Sequence, residues 1–140
     1  MDKSRTILVI EDEADIQNFI SRVLELEGYK VFRAGDGRAG LALLRGNGVD
    51  LVLLDLRLPG LDGWAVLREI RRNPSFAALP VVVLSAIAEA IQRKKTLRMG
   101  ATKYLVKPLS AGELIQTITE VLSEKGKELE PAALSAAEGE

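Results

Sequence analysis

The sequence predicts an α/β fold in which helices cover both faces of a doubly wound parallel sheet. Four short apolar runs, at 7–10, 51–54, 81–84 and 104–106, are continuous and do not alternate with polar residues. This pattern is typical of strands that are covered on both faces. Segments with helical spacing lie between the runs, so strand and helix alternate five times, which predicts βαβ units with right-handed crossovers.

The first half of the chain supplies two strands and two helices. Apolar residues recur at three- and four-residue spacing over 16–26, and Gly28 follows as a helix terminator. The run at 31–34 alternates more than the others, so we expect a less central strand there. A short second helix is predicted to begin near Asp36 and to carry the apolar residues between 41 and 44.

The second half supplies three further helices with recognisable ends. Asp62 is a candidate N-cap for the third helix, which Pro74 ends. The fourth helix is predicted over 91–99, closed by Gly100. Residues 110–113 read Ser-Ala-Gly-Glu, a capping box that predicts the start of the fifth helix.

The chain has 140 residues, a length typical of one compact domain. We predict that this domain spans 4–124. From 125 to 140 the sequence is acidic and alanine-rich with little periodicity, which predicts a flexible tail or linker. The sequence is compatible with a stand-alone protein and with a fragment of a longer one.

The composition contains no cysteine and no histidine, which excludes several kinds of chemistry. Disulfide frameworks, Cys/His zinc sites and Ser-His-Asp triads are all ruled out. A net charge of -1 provides no basic field for nucleic acid or membranes. The N-terminus has no apolar core, and no apolar run approaches the roughly 20 residues of a membrane span. We therefore expect a cytoplasmic protein without direct nucleic-acid or membrane binding.

Polar residues follow the predicted strands at the edge where parallel sheets bind ligands. The run 11–13 is Glu-Asp-Glu, Asp55 follows the third strand, Ser85 the fourth and Lys107 the fifth. Taken singly, such residues are more often helix caps or loop residues. Asp55 is harder to explain in this way, because burying a lone carboxylate after four apolar residues is costly.

Together, these residues describe a site for a hard cation and a phosphoryl group. Carboxylates without histidine or cysteine favour Mg²⁺ or Mn²⁺. Asp55 is then a candidate nucleophile toward phosphorus, since carboxylates form aspartyl phosphates. Lys107 is expected to neutralise phosphoryl oxygens, and Ser85 to donate a hydrogen bond to one of them.

The chain resembles the receiver (phospho-acceptor) domains of two-component response regulators, in particular the single-domain chemotaxis type. The resemblance lies in the segments 7–13, 53–63, 84–86 and 100–108, and it extends over about 4–124. Any one segment is a weak signal, whereas the set in this order is specific. The resemblance implies a flavodoxin-like fold with five helices and five parallel strands in the order 2-1-3-4-5.

The resemblance also implies a role for each residue at the strand ends. Asp55 matches the phosphorylated aspartate. Asp12 matches the acid that binds Mg²⁺ directly, and Glu11 matches a neighbour that commonly acts through water. The backbone carbonyl of Arg57 matches the remaining protein ligand. The implied metal set is therefore Glu11, Asp12, Asp55 and the carbonyl of Arg57, with Mg²⁺ or Mn²⁺ as cofactor.

Further residues match the phosphate-binding and switch positions of such domains. Lys107 matches the lysine that pairs with the phosphate, which Ser85 and Ala86 also contact. Ser85 is in addition the implied switch hydroxyl, and Tyr104 the switch aromatic. In the family, phosphorylation draws the hydroxyl toward the phosphate and the aromatic inward. The face formed by the fourth helix, fifth strand and fifth helix then changes shape.

The resemblance implies a signalling role in which phosphoryl groups arrive from another protein. The donor would be a phosphohistidine of a sensor histidine kinase or of a histidine phosphotransfer protein, because this chain has no histidine. The chain would promote only its own phosphorylation and dephosphorylation, and would not be an enzyme in the usual sense. With no room for a separate output domain, we expect the signal to reach a downstream effector protein or domain through a surface.

Two alternatives are compatible with the same residues. One is an interaction module that keeps the fold and works without phosphorylation, although such modules lose an acid or the lysine. The other is a phosphatase with an aspartate nucleophile, which would need a second aspartate where this chain has Arg57.

The resemblance also implies a long-lived phosphoryl group. In the family, the residue two positions after the switch hydroxyl tunes phosphate lifetime, and here it is Ile87, which has no polar group to orient water. We therefore predict slow hydrolysis of the phosphoryl group.

Overall fold

A computed structural model describes residues 5–128 and shows one sheet of five parallel strands. The strands are β1 (Thr6–Ile10), β2 (Lys30–Ala34), β3 (Leu51–Asp55), β4 (Val81–Ser85) and β5 (Lys103–Val106). Their order across the sheet is β2-β1-β3-β4-β5. The predicted fold class and strand order are confirmed, and the alternating second strand lies at an edge as expected.

Four helices connect the strands, and a fifth follows the last strand. They are α1 (Ala14–Leu26), α2 (Gly37–Leu44), α3 (Gly63–Arg72), α4 (Ala90–Arg98) and α5 (Ala111–Glu128), with a 3-10 turn at Pro74–Phe76 after α3. Within the described part of the chain, no helix is both long and apolar enough to cross a bilayer.

Side-chain caps begin three of these helices, as the sequence predicts for the third and fifth. Asp36 and Asp62 each accept a hydrogen bond from the backbone N–H three residues later, at 2.8 and 2.9 Å. Ser110 and Glu113 form the reciprocal capping box of α5, because each backbone N–H donates to the other residue's side chain.

The core lies in two layers, because alternate residues of a strand point to opposite faces of the sheet. One layer holds Leu8, Val52 and Val83 with apolar side chains of α2 and α3. The opposite layer holds Val9 and Leu53 with those of α1 and α5. The strands β1, β3 and β4 are buried along their whole length, which explains their continuous apolar runs.

The C-terminal helix runs past the predicted domain boundary at 124. It continues to Glu128, so the first residues of the predicted tail belong to α5. The rest of that predicted tail, 129–140, lies outside the described residues.

Candidate functional site

The strand ends bring the predicted site residues together at one edge of the sheet. Glu11 directly follows β1, Asp55 is the last residue of β3, and Asp12 lies in the loop before α1. Parallel pairing of β1 with β3 sets Ile10 beside Leu54, so the residues that follow them are neighbours. One carboxylate oxygen from each of Glu11, Asp12 and Asp55 lies within 4.8 Å of the other two.

The Lys107 ammonium bridges two of these carboxylates. Its Nζ atom lies 3.0 Å from Glu11 Oε1 and 3.3 Å from Asp55 Oδ1. Burial alone would lower the pKa of Lys107, but the hydrogen bond to Glu11 and the charge of Asp55 outweigh it, so this pKa is raised. Lys107 is therefore a firmly charged group between two buried acids.

Glu11 is the most enclosed acid of the group. Its side chain is fully buried, and its Oε2 atom accepts a hydrogen bond from the backbone N–H of Glu13. Burial raises the pKa of Glu11, and the nearby charge of Asp55 raises it further, against the opposing effect of Lys107. The ionised form is thus held in place at an energetic cost that a cation in the site would offset.

The carboxylate of Asp55 is held by its own loop. It is 3% exposed, and its Oδ1 atom accepts a hydrogen bond from the backbone N–H of Arg57 at 3.2 Å. Asp12 is exposed at the mouth of the site. Three carboxylates, with no imidazole or thiolate in the chain, form a donor set that fits Mg²⁺ or Mn²⁺.

Close packing between α3 and the loop after β3 supports the position of Asp55. The backbone N–H of Gly63 donates to the carbonyl of Leu56 at 3.0 Å. A Cβ atom on Gly63 would lie 2.5 Å from the carbonyl oxygen of Asp55. Glycine is therefore required at the start of α3 for this approach.

Ser85 and Tyr104 take part in a closed ring of hydrogen bonds with two residues that follow β4. Ser85 Oγ accepts from the backbone N–H of Ile87 and from Gln92 Nε2, both at 3.1 Å. The Tyr104 hydroxyl donates to the carbonyl of Ile87 at 2.7 Å and accepts from Gln92 Nε2 at 2.5 Å. Tyr104 is 4% exposed, so its ring points inward.

The ring is tied to α3 through α4. Thr96 Oγ1 donates to the backbone carbonyl of Gln92 at 2.8 Å and accepts from the Trp64 indole N–H at 3.2 Å. Thr96 is fully buried, although α4 is otherwise rich in exposed charges. The Lys95 ammonium lies 4.7 Å from the centre of the Trp64 ring. Trp64 is therefore a packing residue that positions α4.

An apolar groove opens beside the carboxylates. It has a volume of about 420 Å³, and Ala86 and Lys107 are among the residues that line it. Its walls are apolar side chains of α1 and of the loop after β5: Ile16, Phe19, Ile20, Pro108 and Leu109. Phe19 is 43% exposed, which is unusual for a large aromatic side chain.

The structure brings the predicted acids and Lys107 together in one cluster. It places Ser85 and Tyr104 in a ring of hydrogen bonds, to which it adds Gln92. The sequence carries a weak signal for this residue, because Gln92 and Thr96 have the i, i+4 spacing of one helix face. That face was obscured by the basic run that follows Gln92. The neighbouring apolar residue Ile91 is 81% exposed, so apolar character does not mark the buried face of α4.

Comparisons with known proteins agree with this arrangement. Residues 7–119 match the family described as response regulator receiver domain. The chain is 39% identical over 116 residues to "Probable transcriptional regulator ycf27" of Porphyridium aerugineum, covering 83% of this chain and 47% of that protein. It is 38% identical over 117 residues to "Sensory transduction protein RegX3" of Mycolicibacterium smegmatis, covering 84% and 50%. The chain thus spans about half the length of the curated relatives it matches.

A solved structure agrees in fold as well. The receiver domain protein (CheY-like) of Methanospirillum hungatei JF-1 superposes with a TM-score of 0.83 at 28% identity, covering 89% of this chain and 98% of that one. The family match extends over most of the chain and contains all of the clustered acids, Ser85 and Lys107. The chain therefore belongs to the response regulator receiver domains of two-component systems.

Proposed function

We propose that this receiver domain is switched by phosphorylation of Asp55, with a phosphohistidine as donor. The observation that carries the proposal is the position of the Lys107 ammonium, between Glu11 and Asp55 in a cluster of three carboxylates. A structural ion pair needs one acid and one base. Three acids around one lysine make a site that is short of positive charge, as a site for a cation and a phosphoryl group would be.

The transfer step needs a nucleophile and a leaving group. A carboxylate oxygen of Asp55 attacks phosphorus and forms a P–O bond, the P–N bond of the donor breaks, and its electron pair returns to the imidazole. The N–H of Arg57 keeps the attacking carboxylate oriented. Lys107 neutralises charge on the phosphoryl oxygens, and Ser85 with the backbone at Ala86 contacts them. These 140 residues contain no histidine, so the donor lies elsewhere.

Glu11, Asp12, Asp55 and the backbone carbonyl of Arg57 are the groups that would hold Mg²⁺ or Mn²⁺. Such an ion supplies positive charge beside the transferring phosphoryl group. Among these groups, the buried Glu11 and the exposed Asp12 differ in access to water. Asp12, at the mouth of the site, would bind the ion directly, and Glu11, already engaged by Lys107, would act through water.

The partner that delivers the phosphoryl group is proposed to be a sensor histidine kinase or a histidine phosphotransfer protein. The apolar groove between α1 and the loop after β5 supports this, because it opens beside Lys107 and exposes Phe19. An amphipathic donor helix that carries the phosphohistidine would fit such a groove. Because histidine kinases use ATP, the proposal places the chain in the cytoplasm.

The output is proposed to leave through the face formed by α4, β5 and α5. A change at Ser85 would reach this face through Tyr104, whose ring already points inward, and a downstream effector protein or domain would bind the face. The unit that switches is the receiver domain proposed over 4–124. It would act only on its own phosphorylation state and would contact neither nucleic acid nor membranes.

Incubation with acetyl phosphate and Mg²⁺, followed by intact mass measurement, tests the assignment of Asp55. We expect one phosphoryl group on the wild type and on Asp36→Ala, and none on Asp55→Ala. Asp36 is a suitable control because it caps α2 and takes no part in the acidic cluster. A wild type that gains no mass would reject phosphorylation of Asp55 and favour the interaction module. An Asp55→Ala variant that gains as much as the wild type would place the phosphoryl group on another residue.

A further inference from the structure

The ring around Ser85 contains one residue, Gln92, whose amide contacts both switch side chains. Gln92 Nε2 lies within hydrogen-bond distance of Ser85 Oγ and of the Tyr104 hydroxyl. No other side chain in the described part of the chain hydrogen-bonds to both of these groups. Gln92 is therefore placed to couple a residue at the end of β4 to a residue in β5.

The donors and acceptors of the ring fix the orientation of the amide. Tyr104 has one hydroxyl proton, which it donates to the carbonyl of Ile87, an acceptor only. The Gln92 atom that faces Tyr104 must then be a donor, so it is the amide nitrogen and not the oxygen. The two protons of that nitrogen serve Ser85 and Tyr104, one each.

The hydrogen bonds of the ring also determine which interaction remains open to the Ser85 hydroxyl. A serine hydroxyl accepts two hydrogen bonds and donates one. Both acceptor positions of Ser85 are filled, by the N–H of Ile87 and by Gln92. The hydroxyl proton is left as a donor. Among the described residues this proton has no acceptor, and Ser85 ends β4, the neighbour of β3, which ends at Asp55.

We propose that Gln92 is a positioning residue of the switch, which holds Tyr104 inward and leaves the Ser85 hydroxyl proton free for the phosphoryl group. The hold on Tyr104 depends on the ring alone. The effect on Ser85 rests on the proposed function, because it requires a phosphoryl group on Asp55. Gln92 itself is kept in place by Thr96 and Trp64, through its backbone carbonyl.

The test compares Gln92→Met, which keeps the length of the side chain and removes both donors, with Gln116→Met. Gln116 is an exposed residue of α5 whose amide contacts only Glu120 among the described residues. The first measurement is the aromatic NMR spectrum of tyrosine-labelled protein without any phosphodonor. The chain has two tyrosines, so Tyr29 serves as an internal reference.

We expect Gln92→Met to shift and broaden the Tyr104 ring signals, with Tyr29 unchanged and with no effect of Gln116→Met. The second measurement is the rate of phosphorylation by acetyl phosphate. We expect a loss of about threefold to tenfold in Gln92→Met, the value of one neutral hydrogen bond. If Gln92→Met does not fold, Gln92→Ala replaces it, since alanine favours a helix.

Each result has a distinct meaning. Tyr104 signals that stay at their wild-type positions, or move equally in both variants, would overturn the hold on Tyr104. Shifted Tyr104 signals with an unchanged rate would overturn the effect on Ser85. A wild type that accepts no phosphoryl group would reject the proposed function instead, and the spectrum of Tyr104 would still decide whether Gln92 holds the ring.

Discussion

At the scale of single residues, the site holds like charges close enough to repel one another. Three carboxylates cluster beside one ammonium that bridges two of them, Glu11 and Asp55, and both of these are almost fully buried. Part of this repulsion is visible at Glu11, whose pKa is raised by burial and by the charge of Asp55. Such a cluster lowers the stability of the folded protein in the absence of a cation.

Asp55→Asn tests whether this charge repulsion lowers the stability of the folded protein. The amide keeps the shape and the acceptor for the N–H of Arg57, but it removes one negative charge. In chelator-treated protein we expect unfolding to need more free energy, on the order of 1 kcal/mol above wild type. Thermal or denaturant unfolding measures this difference.

If Asp55 is a ligand, added Mg²⁺ should narrow or reverse this difference in stability between the wild type and Asp55→Asn. The ion stabilises the folded state by mass action, so it should raise the unfolding midpoint of the wild type more than that of Asp55→Asn. Equal midpoint shifts in the two proteins would remove Asp55 from the metal site.

Ile87 carries a second residue-scale prediction, on the lifetime of the phosphoryl group. Its backbone N–H and carbonyl belong to the hydrogen-bonded ring, while its half-buried side chain offers nothing that could orient water. We expect Ile87→Glu to release phosphate faster by a factor on the order of ten, below the effect of an optimised acid–base catalyst. Ile91→Glu, at the exposed start of α4, is the control. A wild type that releases phosphate as fast as Ile87→Glu would contradict the prediction.

At the scale of elements, helix ends and strand ends set the geometry of the site. α3 begins at Gly63, which lies so close to the end of β3 and the loop after it that a side chain would not fit. The three atoms nearest to a Cβ placed there all belong to the backbone of Asp55 and Leu56. Backbone cannot rotate away as a side chain can, so α3 itself would have to move.

Gly63→Ala should therefore destabilise the protein by about 2 kcal/mol or more and slow phosphorylation of Asp55. The matched change is Gly112→Ala in the first turn of α5, where the nearest atom outside the helix's own backbone and the neighbouring residues would be Ser110 Oγ at 4.0 Å. There we expect unchanged or higher stability, since alanine is the better helix former. Denaturant unfolding of the two variants separates a local clash from the general effect of a glycine substitution.

At the scale of the whole molecule, the parallel topology explains why so much of the site follows from the sequence. Carboxyl ends of neighbouring parallel strands meet at one edge, so residues 11, 55, 85 and 107 could be placed together from their positions after apolar runs. The ring around Gln92 could not, because it depends on how α4 is rotated against the sheet. The exposed Ile91 and the basic run beside it mask the buried face that Thr96 occupies.

Donor docking and phosphoryl transfer would use different parts of the molecule, because the apolar groove and the acidic cluster lie side by side but share few side chains. Phe19 lines the groove and contributes no group to the cluster, so Phe19→Ser should leave the rate with acetyl phosphate within about twofold of wild type. Transfer from a histidine kinase that phosphorylates the wild-type chain should slow about tenfold or more, as expected for an aromatic anchor of an interface. Leu26→Ser is the control, because Leu26 is 76% exposed on α1 but is not part of the groove. Equal slowing in the two variants, or equal slowing with both donors, would show that the groove does not receive the donor. If only Phe19→Ser slows, and only with the kinase as donor, donor recognition belongs to α1 and the loop after β5. Phosphoryl chemistry then belongs to the strand ends.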